Sequence, residues 1–370
     1  MKRTIDIELE LQPMIDKIPV PSEQLWEKAC SGDRLTIDTW RDTWIKNYQH
    51  TKDRFKELGD YSYGQLFGIN RYKPAIVCGS GPSLKTSIPA LKRNREQPNP
   101  VMTVSALHNF GYFEDENCHA DYYMTLDAGP IVVDDVYEGR QKAPEEYWAA
   151  SKDQTLIASA CSPPELFELW QGKVYLLSIL VPDMEVRDAL NKIERFSHYI
   201  SGGGNVTGGC IYAAKAVMGS GEIIAVGFDC CFDYDHKFHA YPTNYDNFNG
   251  NGIGKVIKWP DIFGIPRSTW PSYYNFKCWA DWLTFNVPGR WASASEGIWG
   301  AYPEGNLSSI RYAPLAGLLK AYSIADVANL GEVDDSNNLK MNAVGTPTNL
   351  RLSLEEFFKD PKQGKDLVLF

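Results

Sequence analysis

The sequence predicts an α/β fold: a Rossmann-like, mostly parallel sheet with helices on both faces, an N-terminal helical extension and an aromatic-rich lid insertion. Three observations carry this. Short apolar runs at 75–78, 101–105, 121–126, 155–159, 173–177 and 222–227 alternate with helix-like stretches. The runs are apolar at successive positions, as strands covered on both faces require. Two glycine-bearing segments, 79–81 and 202–204, each lead into a helical pattern.

Taken in order, residues 1–20 are polar or mixed and are punctuated by Pro13 and Pro19, with Pro21 just beyond. From Ser22 to about Leu58 the pattern is helical: Trp26, Ile37, Trp40, Trp44 and Tyr48 form an aromatic stripe expected to pack on the rest of the fold. Helices are then expected at Ser83–Arg93, Pro164–Trp170, Val206–Met218, Tyr273–Leu283 and Arg311–Ala325. Residues 235–300 are rich in Asn, Gly, Trp, Tyr and Pro without strand–helix alternation, and read as a lid over the C-terminal edge of the sheet. The expected division is a helical extension over 1–65, a catalytic domain over 66–330 and a polar tail over 331–370.

Composition narrows the functional classes. The 370 residues hold 37 Lys and Arg against 47 Asp and Glu, a net charge of −10, which argues against coating nucleic acid by charge alone. Apolar residues at 44% and charged residues at 23% are those of a globular chain. No apolar run reaches about 18 residues, so no spanning helix is expected. The start, MKRTIDIELELQPMID, lacks the apolar core of an export signal. Eight scattered cysteines form no CxxC pair, and reduced thiols in a cytoplasmic setting are expected.

The chemistry concentrates in four places. Cys78-Gly-Ser-Gly-Pro-Ser-Leu84 joins a strand to a helix. Gly79 and Gly81 allow close backbone approach, Pro82 suits a first helical turn, and Ser83 offers a hydroxyl beside the helix start. The loop lacks the Gly-Lys-Ser/Thr of a Walker A motif and the third glycine of GxGxxG. It reads as an anion site or as a tight βα turn. Ser201-Gly-Gly-Gly-Asn-Val-Thr207 is the second elbow, where Gly203, Gly204, Asn205 and Thr207 cap a helix or meet a phosphate, ribose or carboxylate. Asp127 and Asp229 end two strands, where acids bind ribose, hold Mg²⁺ or orient another group. His236 and His239 lie in Asp233-Tyr-Asp-His-Lys-Phe-His239 and are candidate general bases. Adjacent Cys230 and Cys231 span a tetrahedral zinc site poorly, and no metal site is expected from them.

These motifs together resemble two related groups. Ile76-Val-Cys-Gly-Ser-Gly-Pro-Ser-Leu84 resembles the GxGPSL opening of the family 42 sialyltransferases and of the DUF115 group, which includes flagellin Maf glycosyltransferases and MptE-type hydroxymethylpterin diphosphokinases. Ala120–Asp127, Thr207–Asp229, Asp261–Gly264 through Trp282, and Ala294-Ser-Glu-Gly297 follow in the same order, so the resemblance runs over about 60–325. It implies that Gly79, Ser80, Gly81, Pro82 and Ser83 cradle a nucleotide phosphate. It also implies that Thr207, with the Gly202–Asn205 approach, holds the donor, and that Asp127 contacts the nucleotide or sugar. In the sialyltransferases the base histidine sits in the lid. Here 240–300 contain no histidine, which leaves His236, His239, an acid such as Asp246, or no such base.

The expected activity is transfer of a sugar from a CMP- or UDP-sugar donor to a hydroxyl acceptor with inversion, the acceptor being a glycan, a protein or a modified nucleic-acid base. The other readings are ATP/Mg²⁺-dependent diphosphotransfer of the MptE type and non-catalytic nucleotide binding. Association of identical copies stays open.

Overall fold

The computed structural model describes residues 40–55, 61, 63–179, 199–200, 204–235, 237–242, 257–287 and 289–324. Nine strands form one sheet in which every pairing is parallel. In chain order they are β1 Pro74–Cys78, β2 Met102–Ala106, β3 Tyr122–Thr125, β4 Thr155–Ser159, β5 Lys173–Ile179, β6 Tyr199–Ile200, β7 Glu222–Val226, β10 Arg290–Ser293 and β11 Ile310–Tyr312. The spatial order is β11-β10-β7-β1-β2-β3-β4-β5-β6. The chain thus builds outward from β1 to β6, then crosses back to lay β7 on the other side of β1. That reversal is a topological switch point, and it lies between β1 and β7.

Alternate residues of each central strand enter opposite layers. Ile76 and Cys78 join Leu84, Leu91, Phe110, Phe113 and Leu318 on one face. Ala75 and Val77 join Ile211, Trp279, Leu283 and Trp299 on the other. This period-2 division explains the non-alternating apolar runs, since both faces are dry.

The helix over 40–54, α1, carries the described part of the aromatic stripe. Tyr48 is buried, Trp44 packs against the first layer, and the Trp40 indole lies on Gly129, where a Cβ would meet it at 2.8 Å. Trp26 and Ile37 lie outside the described residues. Helices α2 Leu84–Arg95, α3 Phe110–Asp115, α4 Ile131–Asp134, α5 Pro144–Ala150 and α6 Pro164–Leu169 link the strands up to β5. The helix expected over Val206–Met218 is α-helical only at Val206–Tyr212, here α7, and widens into a π-helical turn at Ala213–Val217.

The segment 235–300 departs from its reading as a lid alone. It contains an antiparallel hairpin of β8 Ile257–Pro260 and β9 Pro266–Thr269, and the helix α8 Pro271–Asn286. It then delivers β10 into the main sheet beside β7. The stretch from Arg311 divides into the end of β11 and α9 Leu315–Ile324. β10 and β11 are only four and three residues long, too short for a periodic signal.

Buried Lys215 occupies the π turn. Its ammonium donates to Ser220 O at 3.0 Å and Gly221 O at 3.3 Å and lies 5.6 Å from the Trp291 ring. Burial lowers its pKa from 10.5 to about 8. Between those values the unfolded chain binds more protons than the folded one, so this lysine makes stability rise with pH across that window. Urea midpoints of the wild type are therefore expected to gain on those of Lys215→Met between about pH 8 and about pH 10.5. A constant gap would refute the assignment.

Candidate functional site

The loop after β1 and the loop after β7 meet at the switch point. Gly79 N donates to Val226 O and Gly81 N to Gly227 O, each at 2.8 Å. A Cβ at Gly81 would lie 2.4 Å from Asp229 Oδ2 and 2.6 Å from Gly227 O, so only glycine fits there. The second elbow arrives beside the first: a Cβ at Gly79 would lie 2.9 Å from Thr207 Oγ1. Asn205 caps α7, its Oδ1 accepting from Gly208 N at 2.7 Å. Of the second elbow's expected ligands, Gly204 is exposed and Asn205 and Thr207 are half-buried, while Gly203 lies outside the described residues.

Asp229 has a different position from that of a free carboxylate at a strand end. It is buried, and its Oδ2 and Oδ1 accept from Ser83 N at 2.9 Å and Ser83 Oγ at 2.6 Å. A third bond comes from Glu296 N. Burial raises its pKa, and the Ser83 bonds oppose the rise. The loop 294–297 closes over it. Phe228 N donates to Ser295 Oγ at 2.8 Å, and a Cβ at Gly297 would strike Asp229 O at 1.9 Å. The next residue, Cys230, is held at φ 53°, a strained backbone conformation for a side chain of this kind. Asp229 thus ties the first elbow to the loop after β10, and the edge of its side chain lines the cleft beside Ser83.

This corrects the expected anion cradle. The amides of Gly79, Gly81 and Ser83 are engaged within the protein. The negative end at the start of α2 is the chain's own Asp229. Of the five loop residues, Ser80 turns the other way: its carbonyl accepts from Ala240 N at 2.9 Å. Pro82 and Ser83 face a cleft beside Thr86, Asp233, Tyr234, Arg267 and Glu296.

Asp127 follows β3 with its side chain exposed. Its pKa is nonetheless raised, first by the surrounding protein and then by Asp135, with His108 opposing. The surroundings of Asp127 include aromatic and basic side chains. His108 Nδ1 lies 3.1 Å from Asp135 Oδ2, and the Arg140 guanidinium sits 4.0 Å from the Tyr241 ring. Asn109 Nδ2 reaches Gly79 O at 3.1 Å and Ser105 Oγ at 3.0 Å, while its Oδ1 accepts from Tyr241 OH at 2.9 Å.

His239 belongs to these surroundings. Its ring stacks on Tyr241 at 6.0 Å and lies 4.8 Å from His108. Burial, then the neighbouring His108 and Arg140, push its pKa down to about 2. An imidazole held in this neutral form is a weaker base than the free side chain that the sequence reading expected. His236 and Asp246 lie outside the described residues. The sequence motifs did not single out His108, Arg140, Arg267 or Glu296 as site residues. Of these, Arg267 and Glu296 stood in stretches already noted, Asp261–Gly264 through Trp282 and Ala294–Gly297.

The described cysteines are all unpaired, and among the described residues no helix is long and apolar enough to cross a membrane.

Fold and crevice together define a Rossmann-like α/β protein with its candidate site at the carboxyl ends of the strands. The chain belongs to the MptE-like family: the family model described as 6-hydroxymethylpterin diphosphokinase MptE-like matches residues 43–235. A solved Maf glycosyltransferase from Magnetospirillum magneticum AMB-1 is similar over 78% of this chain at 14% identity, with a TM-score of 0.47. The similar region spans 42% of that protein's chain. No curated protein sequence matches. The family's name is that of a transferase.

Proposed function

We propose that this protein is a nucleotide-sugar-dependent glycosyltransferase. Its donor lies in the crevice between the two elbows, over Asp127, and its hydroxyl acceptor lies in the cleft beside Ser83. The observation that carries the reading is the lining of that cleft. Ser83, Thr86, Asp233 and Glu296 offer hydroxyls and carboxylates, while Phe232 and Tyr234 offer ring faces. Tyr234 is 62% exposed, with the Arg267 guanidinium 3.6 Å from its ring. Arg267 is itself paired with Asp261 at 2.8 Å, so the cleft has little free positive charge. Such a lining suits an uncharged, hydroxylated ring better than an anion. Glu296, exposed in the cleft, takes the place of the expected histidine as base toward the acceptor.

A second reading, ATP/Mg²⁺-dependent diphosphotransfer, is favoured by the family match and by the neighbouring Asp127 and Asp135, which suit a cation shared with phosphates. Melting curves with CMP, UDP, GDP, ATP and their sugar conjugates separate the readings. A preferred nucleotide at a hundred times its Kd is expected to add about 2.7 kcal/mol of stability. Glu296→Gln is expected to keep that shift and to lose at least ten-fold in donor turnover. AMP release from ATP that requires Mg²⁺ would favour diphosphotransfer. No shift with any nucleotide would reject both readings.

A further inference from the structure

The cleft beside Ser83 holds about 470 Å³ of empty space, its mouth included, which lies in the range of small-molecule sites, about 300–1,000 Å³. Tyr234 lines it and is 62% exposed, yet the ring is firmly held. Its turn is clamped by Asp233, whose Oδ1 accepts from Asp235 N at 2.9 Å and from Lys237 N at 2.8 Å. Phe232, two residues before that clamp closes, is buried: its N–H donates to Ser268 O at 2.9 Å, and its ring stands edge-on to Trp270 at 4.7 Å. Behind the Tyr234 ring, the Arg267 guanidinium lies 3.6 Å from the centroid. Arg267 is buried and donates from Nε to Asp261 Oδ2 at 2.8 Å. The other oxygen of Asp261 accepts from Phe263 N and Ile265 N, each at 2.9 Å. One face of Tyr234 thus rests on a fixed cation, and the other is left to the cleft.

A ring that is already immobile loses little freedom when a partner stacks on it, so contact there converts efficiently into affinity. The groups around the ring set the partner's chemistry. The lining carries three carboxyl groups, Asp229, Asp233 and Glu296, against one cation, Arg267, which is itself paired with Asp261. An anionic partner is therefore repelled. Ionised carboxylates accept hydrogen bonds and donate none, so the partner must carry donors at its rim. The open ring face asks for an apolar face in return. A pyranose without acidic groups meets all three conditions: C–H groups on one face, hydroxyl donors around the rim and no negative charge. A nucleobase stacks equally well, but its ring nitrogens and carbonyl oxygens would turn lone pairs toward the carboxylates. We infer that Tyr234 is the platform on which the acceptor stacks, that the acceptor ring is a pyranose without acidic groups, and that Arg267 and Asp261 are positioning residues that hold the platform. The proposal rests on the glycosyltransferase reading above and adds the acceptor's class and the residue that seats it.

Saturation-transfer NMR of the full chain tests it, with the methyl glycosides of glucose, galactose and mannose as probes and the uronic acid of each sugar as its acidic counterpart. Wild type is expected to bind at least one neutral glycoside, and to bind the matching uronic acid about ten-fold more weakly. Tyr234→Ala and Tyr234→Leu are expected to weaken glycoside binding about five-fold or more, while Tyr234→Phe keeps it, because the contact is with the ring face. Arg267→Gln is expected to weaken binding in the wild type and to add nothing in the Tyr234→Ala background, a dependence that a general structural change would not show. Phe285→Ala is the control, since Phe285 is 56% exposed on α8 and does not line the cleft. Melting temperatures identify a variant that misfolds; should Arg267→Gln do so, the exposed Tyr234 variants decide. Wild type that binds no neutral glycoside, or binding unchanged in both Tyr234→Ala and Tyr234→Leu, overturns the platform and leaves the nucleotide reading to its own melting curves. A uronic acid that binds as tightly as its glycoside overturns the assignment of charge. Tyr234-dependent binding in a protein that no nucleotide stabilises would keep the platform and reject the transferase reading.

Discussion

Asp229→Ala is expected to lower the unfolding free energy by about 3 kcal/mol or more, because three neutral donors lose their buried acceptor and each unsatisfied donor costs about 1–3 kcal/mol. The side chain is 4% exposed, and it accepts from Ser83 N, Ser83 Oγ and Glu296 N. Deleting it leaves three donors in a space that water enters poorly. Asp229→Asn keeps the volume but turns amide hydrogens toward a site already full of donors, so it is expected to recover less than half of the loss. Ser83→Ala removes one of the three donors. The double variant Ser83→Ala/Asp229→Ala is thus expected to be more stable than the sum of the single effects by about 1 kcal/mol or more. Urea denaturation of the four proteins measures this. Additive effects would show that Asp229 and Ser83 do not act as a unit, and the latch between β7 and the first elbow would then be wrong.

A comparable loss is expected at the far side of the second layer. Lys277 and Asp281 are both fully buried, one turn apart on α8, with Nζ 2.5 Å from Oδ2. Tyr302 OH also donates to Asp281, and Gly300 N reaches its other oxygen at 3.0 Å. The ammonium lies 3.7 Å from the Tyr302 ring and 5.5 Å from that of Trp259. The cluster joins α8 to the hairpin strand β8 and to the loop after β10. Lys277→Met is expected to cost about 3–5 kcal/mol, because it leaves a buried carboxylate without its cation. Lys277→Met/Asp281→Leu is expected to recover more than half of that, since an apolar pair needs no solvation. Chemical denaturation reads both effects. A single variant within about 1 kcal/mol of wild type would mean that water reaches the pair.

Much of the architecture was legible along the chain. The strands β1 to β5 and β7 are continuous apolar runs, and each fell within a residue or two of its expected place, because burial on both faces writes itself directly into composition. The glycines at 79 and 81 signalled close approach, and close approach is what they permit. Their partners were misjudged. The same signature serves a phosphate or an internal carboxylate, and nothing local says which arrives. His239 shows a related effect. A histidine next to polar residues reads as accessible, and only the packing of His108, Tyr241 and Phe238 around it makes it a poor base. Arg140 and His108 carried no motif, since their relation spans separate loops.

The sequence by itself determined the parallel α/β class, the central strands and the two elbows, because hydrophobic period and glycine placement are properties of neighbouring residues. Tertiary structure alone decided the crossing from β6 back to β7, the entry of β10 and β11 into the sheet, and the capture of Ser83 by Asp229. These depend on contacts between residues far apart in the chain, such as the 146-residue separation of Ser83 and Asp229. Buried charge is selected by what surrounds it in space, and that surrounding is set only when the strands have been ordered.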